Sequence, residues 1–150
     1  MRLVVQKVLE SSVSVDGNVV GEIKKGYMVL AGFTDTDTPA IIDKMVDKMI
    51  GLRIFEDQDG KMNLSLADVN GSILSISQFT LYADCRKGRR PGFTEAAKPD
   101  ISIPLYDYFN NKIKEYNVHL ETGIFGADMK VSLINDGPTT IILDSKEICK

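Results

Sequence analysis

Four side chains able to hydrogen-bond crowd into the segment Ser75-Ile76-Ser77-Gln78-Phe79-Thr80. Read as the end of a strand, it sets Ser77 and Phe79 on one face and Gln78 and Thr80 on the other. That mixture makes a strand-end site. The blander reading has Gln78 and Thr80 decorating a solvent face, where Thr is common in strands. A second group is Asn135-Asp136-Gly137-Pro138-Thr139-Thr140. Gly-Pro between two strands ordinarily marks a turn. It is also one of the few bonds whose cis form costs only ~0.5–1 kcal/mol, and a cis bond would aim its carbonyls as a rigid backbone gate. A third is Arg86-Lys87-Gly88-Arg89-Arg90, four cations on a chain of net charge −3. A basic loop on an acidic protein points to a local polyanion contact, such as a few RNA phosphates or a phosphorylated metabolite, the alternative being a solvated loop. Phe79, Tyr82 and Phe93 are the nearby aromatics able to stack on bases. In Thr122-Gly123-Ile124-Phe125-Gly126-Ala127-Asp128-Met129, glycines flank Phe125. Its ring is either presented beside exposed backbone or packs a strand connection with Met129.

Composition narrows the chemistry. The 150 residues include one histidine, His119, and no tryptophan. Any Ser-His-Asp or Cys-His enzyme would have to use His119, and a multi-histidine metal site is excluded. His119 lies between Val118 and Leu120 with no Ser or Asp at a telling spacing. Cys85 and Cys149 make neither a disulfide framework nor a zinc motif. No metal and no cofactor are expected. The apolar runs are far shorter than a membrane span, and Met1-Arg2-Leu3-Val4-Val5-Gln6-Lys7 lacks the apolar core of a signal peptide. A cytoplasmic protein without a membrane partner is expected.

The elements that must hold these groups follow from periodicity. Leu3–Val8, Val13–Val15, Val19–Ile23 and the apolar run Tyr27–Phe33 read as strands, with Asp16-Gly17-Asn18 as a turn. Pro39 behind a Thr38 cap opens a helix whose Ile41, Ile42, Met45, Val46, Met49 and Ile50 share one face, and Gly51 ends it. Leu52–Phe55 and the longer Ser72–Ala83 read as strands, and Asp84–Gly92 as a loop. A second helix is expected from about Ser102 to Tyr116, with Leu105, Phe109 and Ile113 on one stripe. Val118–Glu121, Met129–Ile134 and Thr139–Leu143 close the chain as strands. No repeat or linker divides the sequence, so residues 1–150 read as one compact α/β domain. Many strands that do not strictly alternate with two good helices point to a mixed sheet carrying helices on one side.

Together these segments resemble the D-aminoacyl-tRNA deacylase family, nearly end to end. Met-Arg-Leu-Val-Val-Gln-Lys-Val is similar to that family's first strand, and Ser77-Gln78-Phe79-Thr80-Leu81 resembles its first signature motif. Asn135–Thr140 resembles its Gly-cisPro motif, while Arg89-Arg90-Pro91-Gly92-Phe93 and Gly126-Ala127-Asp128-Met129 also look familial. The resemblance implies a three-layer α/β fold, mixed β-sheets in two layers with a helical layer on one side, and an esterase that removes D-amino acids, and achiral glycine, from the 3′ adenosine of mischarged tRNA. It implies a homodimer in which Gly137 and Pro138 of one subunit enter the pocket of the other and reject L side chains by clash. Ser77 and Gln78 would line the aminoacyl pocket, and Phe125 and Met129 would contact the terminal adenine. Phe79 and Thr80 would be catalytic, their amides stabilising the oxyanion while the ribose 2′-hydroxyl assists.

An activated ester needs positioning and an oxyanion stabiliser more than a histidine base. Thr80 as nucleophile is the competing mechanism, weakened because no base is evident. Arg86, Lys87, Arg89 and Arg90 are expected to hold tRNA; DNA is not an expected partner. Two departures stand out. Lys7 occupies a position where the family often has an Arg bracing the Gly-Pro carbonyls, and Lys lacks its planar fork. Thr139 replaces the usual Val after Pro138. The rival readings are a non-catalytic tRNA- or RNA-binding module built on Arg86–Arg90 and an esterase of small D-amino acid esters.

Overall fold

The computed structural model describes residues Met1 to Lys150. Strand β1 runs unbroken over Arg2–Val15 and turns through Asp16-Gly17 into β2, Asn18–Ile23. Its first half pairs antiparallel with β3, Gly26–Gly32, and its second half with β2. Its other edge pairs antiparallel with β8, Lys130–Asp144, along most of its length. Beyond β3 the sheet continues in parallel through β6, Ser72–Ser77, to β7, Leu120–Thr122. The six strands therefore make one mixed sheet, and β4 (Phe55–Glu56) with β5 (Met62–Leu64) forms a separate small ribbon.

Two apolar clusters use opposite faces. Leu3, Val5, Tyr27, Val29 and Ala31 pack against helix α1, Pro39–Ile50, and helix α2, Pro99–Lys114. Val8, Val13, Ile23, Met28, Leu74 and Ile76 form the second cluster, where the curled strands cover one another. Two β layers and a helical layer on one side are the architecture expected. No helix is long and apolar enough to cross a membrane.

Helix α1 starts where its cap requires: the Thr38 hydroxyl accepts the Ile41 N–H at 3.3 Å. Helix α2 begins at Pro99 rather than Ser102, because Pro99 has the preset φ of a first helical residue. It then tolerates Pro104, only one turn further on, where a single carbonyl loses its helical donor. It ends at Lys114 rather than Tyr116. The final helix, α3 (Ser145–Ile148), capped by Asp144, was not expected.

Strand limits differ where distant residues decide them. The two early segments merge because β8 pairs across the polar stretch Leu9–Ser12 and satisfies its backbone. Leu52–Phe55 contributes only Phe55 to a strand. Met129–Ile134 and Thr139–Leu143 are likewise one strand, with Gly137-Pro138 inside it as an irregularity rather than as the turn between two strands. The expected strand Ser72–Ala83 stops at Ser77, and Phe79–Tyr82 forms a 3-10 turn. The partner strand causes this. β3 ends at Gly32, and Gln78 donates its N–H to the Ala31 carbonyl at 2.8 Å as the chain crosses Gly32. A Cβ at Gly32 would stand 2.9 Å from the Gln78 carbonyl oxygen, so only glycine admits that crossing.

Candidate functional site

The 3-10 turn changes the geometry inferred from strand alternation. Phe79 and Thr80 do not alternate across a sheet; they are the first residues of a helical turn. The first N–H groups of such a turn have no preceding helical carbonyl. No side chain caps them either. The Phe79 and Thr80 amide donors are thus left without a protein acceptor. The Gln78 side-chain amide donates to the Thr80 hydroxyl oxygen, tying the two side chains together.

Beside this turn lies a cavity of about 250 Å³. Ser77, Gln78 and Phe79 line it together with Phe125, Gly126, Ala127 and Met129, and Ser102 of α2 joins them. Five residues singled out from the sequence (Ser77, Gln78, Phe79, Phe125 and Met129) therefore meet in one pocket. Thr80 stands next to its rim, exposed. No lining residue is an Asp, Glu, His, Lys, Arg, Cys or Tyr, so the pocket supplies no ionisable side chain of its own.

The floor rests on a residue that pattern reading passed over. Tyr106 of α2 donates its hydroxyl to the Ser75 carbonyl at 2.8 Å, and the Ser75 hydroxyl lies 3.3 Å from it. Burial pushes the Tyr106 phenol above its ordinary pKa. Its ring centroid sits 5.9 Å from that of Phe125, linking the β6 backbone to that part of the lining. Tyr106 is spaced one turn from Ser102 and about one from Phe109, so the helical stripe was the available signal.

Gly137 and Pro138 are not among the residues lining this chain's cavity. They project, exposed, from the middle of β8, and the peptide bond between them is cis. Gly137 has φ +128, and a Cβ there would lie 2.5 Å from the Thr139 hydroxyl. Asn135 holds the irregularity closed: its side-chain Oδ1 accepts the Thr139 N–H at 3.1 Å. Thr140 is reached by the amides of both Asn135 and Gln6, at 3.4 and 3.3 Å. Lys7 makes no hydrogen bond here. It is 3% exposed, with its ammonium 6.0 Å from the Phe55 ring centroid. Thr139, next to Pro138, is buried at the base of the irregularity.

The basic segment is a closed loop. Asp84 and Gly92 exchange backbone hydrogen bonds of 2.7 and 2.9 Å across its neck. Arg86 is committed internally, with Nε and a terminal nitrogen 2.9 and 2.8 Å from the two Asp84 carboxylate oxygens. Those bonds pull the Asp84 carboxyl down to about 2. Lys87, Arg89 and Arg90 are exposed and have no carboxylate partner. His119 lies away from the pocket and is 64% exposed, 3.6 Å from the Glu121 carboxylate. No three His, Cys, Asp or Glu side chains gather as metal ligands would.

Comparison with known proteins identifies this arrangement. A family model described as D-Tyr-tRNA(Tyr) deacylase matches residues 4–144. A D-aminoacyl-tRNA deacylase of Thermus aquaticus is 57% identical over 147 residues, 98% of this chain and 97% of that protein. One from Bacillus pumilus is 58% identical over 147 residues, 98% of this chain and all of that protein. The chain belongs to the D-Tyr-tRNA(Tyr) deacylase family. Among solved structures, a c-Myc DNA unwinding element binding protein superposes with a TM-score of 0.90 at 37% identity, covering 96% of this chain and 98% of its own. A structure described as a probable eukaryotic D-amino acid tRNA deacylase has the same fold, with a TM-score of 0.81 at 21% identity over 95% of this chain and 97% of its own.

Proposed function

We propose that this chain hydrolyses D-aminoacyl-tRNA to free D-amino acid and tRNA, removing wrong-handed residues before translation uses them. The observation that carries the reading is the pocket's composition. It has two uncapped amides at its edge and no ionisable side chain in its lining. Such a site stabilises charge that develops on an ester carbonyl but cannot itself act as a general base. The substrate fits that gap: the ribose 2′-hydroxyl beside the ester orients and activates the attacking water. Water adds to the carbonyl carbon, the oxyanion rests against the Phe79 and Thr80 amides, and the bond to the ribose 3′-oxygen breaks. The proton lost by water ends on that oxygen. Thr80, with no base at hand and its hydroxyl engaged by Gln78, is not the nucleophile.

Ser77 and Gln78 take the aminoacyl group, and Phe125 and Met129 the terminal adenine. Gly137 and Pro138 act in the pocket of a second copy, the two chains forming a homodimer. Their exposure in mid-strand, with exposed Leu9, Ile134 and Ile142 on the same strand pair, supports that arrangement. A main-chain gate excludes any L side chain and admits hydrogen, so glycyl-tRNA is also cleaved. Lys87, Arg89 and Arg90 meet the tRNA phosphates, with Arg86 fixing their loop, and a cytoplasmic site of action follows from the substrate. No metal or cofactor enters this scheme.

The test is release of amino acid from matched D-Tyr-tRNA and L-Tyr-tRNA with chelator present. Fast D release with negligible L release supports the reading. Tight binding of RNA or DNA without release of either would make this a nucleic-acid-binding module. The basic loop, and the DNA-binding description carried by one similar structure, keep that reading in play.

A further inference from the structure

Phe93 has no role in the scheme above, yet its placement is unusual. Its ring packs edge-to-face on that of Phe79, with centroids 5.0 Å apart and planes at 69°. Phe79 is 56% exposed and Phe93 36%, and neither ring belongs to either apolar cluster. The two rings touch each other outside both clusters, and each keeps part of its surface open to water. The surrounding backbone nevertheless holds them in place. On one side Gly92 is locked to Asp84 across the loop neck. On the other the Phe93 carbonyl accepts the Ala96 N–H at 3.1 Å, and Ala97 donates to the Phe33 carbonyl at 3.0 Å. The Thr34 hydroxyl also reaches the Glu95 carbonyl at 2.7 Å.

Phe79 lines the cavity, so the pair continues the pocket wall outward to the rim. Pro91 and Gly92 alone separate Phe93 from Arg90, so cations stand immediately beyond it. Apolar ring faces next to unpaired cations are the combination that binds single-stranded nucleic acid, bases stacking while phosphates meet the charges. With the terminal adenine at Phe125 and Met129, the Phe79–Phe93 pair offers the preceding nucleotide a ring surface between the pocket and the basic loop.

We propose that Phe93, supported by Phe79, is the stacking platform for the unpaired nucleobase that precedes the terminal adenosine of tRNA. The proposal rests on the deacylase reading and adds to it a subsite outside the pocket. It assigns the platform to any base, because stacking uses the π-face rather than hydrogen-bonding edges.

The experiment changes the substrate first, leaving the protein intact. Wild-type enzyme is given D-Tyr-tRNA in which the nucleotide before the terminal adenosine lacks its base. The expected result is a fall in kcat/KM of about tenfold, the lower part of the range for one stacked base. Phe93→Ala should cost a similar factor on the complete substrate and nothing further on the base-lacking one, while Phe93→Tyr should restore activity. Unchanged kcat/KM on losing the base would overturn the proposal. So would additive losses in the double comparison, which would mean that Phe93 serves the pocket instead. Absence of D-Tyr release by wild-type enzyme from the complete substrate would instead strike the deacylase reading itself.

Discussion

The Arg2 guanidinium donates to the Leu81 carbonyl at 2.9 Å, joining the first strand to the far end of the 3-10 turn that presents the Phe79 and Thr80 amides. The same group lies 4.5 Å over the Tyr82 ring and bonds Asp144 at 3.0 Å. One side chain thus grips the turn from below while touching nothing in the pocket. Arg2→Met should lower kcat for D-Tyr-tRNA several-fold with little change in KM, because the turn loses its anchor but the tRNA contacts remain. Arg2→Lys should recover part of the rate. Steady-state kinetics on folded variants check this, and a pure KM effect would contradict it.

On the proposed mechanism, in which the Thr80 amide and not its hydroxyl meets the oxyanion, Thr80→Ala should retain activity within about threefold of the parent. Removal of a true nucleophile costs several orders of magnitude. Single-turnover rates with D-Tyr-tRNA separate the two outcomes without ambiguity.

Gly137→Ala tests the gate by its main chain. The position combines φ +128 with a Cβ site 2.5 Å from the Thr139 hydroxyl, so a methyl group must displace the local backbone. The expected outcome is a rise in L-Tyr-tRNA cleavage, with thermal stability lowered. If the variant folds and still rejects L-Tyr-tRNA, discrimination lies elsewhere.

Much of the site was legible in the sequence, for a physical reason. Ser77-Gln78-Phe79, Phe125 and Met129 sit at strand ends or strand connections, where polar or aromatic residues interrupt an apolar pattern. That interruption is visible locally. What decided their orientation was not local: the turn at Gln78 is imposed by Gly32 on the neighbouring strand, and the continuity of β8 through Gly137-Pro138 is imposed by pairing with β1. Arg2, Asn135 and Tyr106 were not assigned roles because each acts through one specific partner far along the chain. A strand arginine, a turn asparagine and a helical tyrosine have ordinary structural explanations until that partner is known. The helices were legible because their stripes need no partner to be recognised, although Pro99 rather than Ser102 set the start of α2.

Asp84 and Arg86 define a pH signature. The Asp84 carboxyl, bonded chiefly by the Arg86 side chain, titrates near 2 rather than 3.8. The folded-state pKa is the depressed one, so the pair's contribution is complete above about pH 4 and fades as pH falls toward 2. Carboxyl carbon NMR shifts should place the midpoint near 2, and Arg86→Gln should return it toward the ordinary value. A midpoint near 3.8 in the parent would show the pair to be open in solution.

The three unpaired cations give a salt signature instead. Replacing Lys87, Arg89 and Arg90 together by Gln should weaken tRNA binding and make the slope of log K against log salt shallower by roughly 2 to 3. Hydrolysis of the short substrate D-tyrosyl-adenosine should be unaffected. An unchanged slope would remove the loop from the tRNA interface.

Strand β1 changes sides along its length: Leu3 and Val5 belong to the cluster under the helices, Val8 and Val13 to the one within the curled strands. Its pairing with β8 slips where that change occurs, between Gln6 and Val8, opposite Gly137-Pro138. The turn thus sits at the joint between two cores, clamped by ladders on both sides. Local fraying cannot loosen it, because releasing it means unzipping strands on which both cores depend. On the proposed reading of Gly137-Pro138 as the gate, heating should therefore yield no folded but permissive enzyme; handedness would be lost only in the cooperative transition that loses the fold.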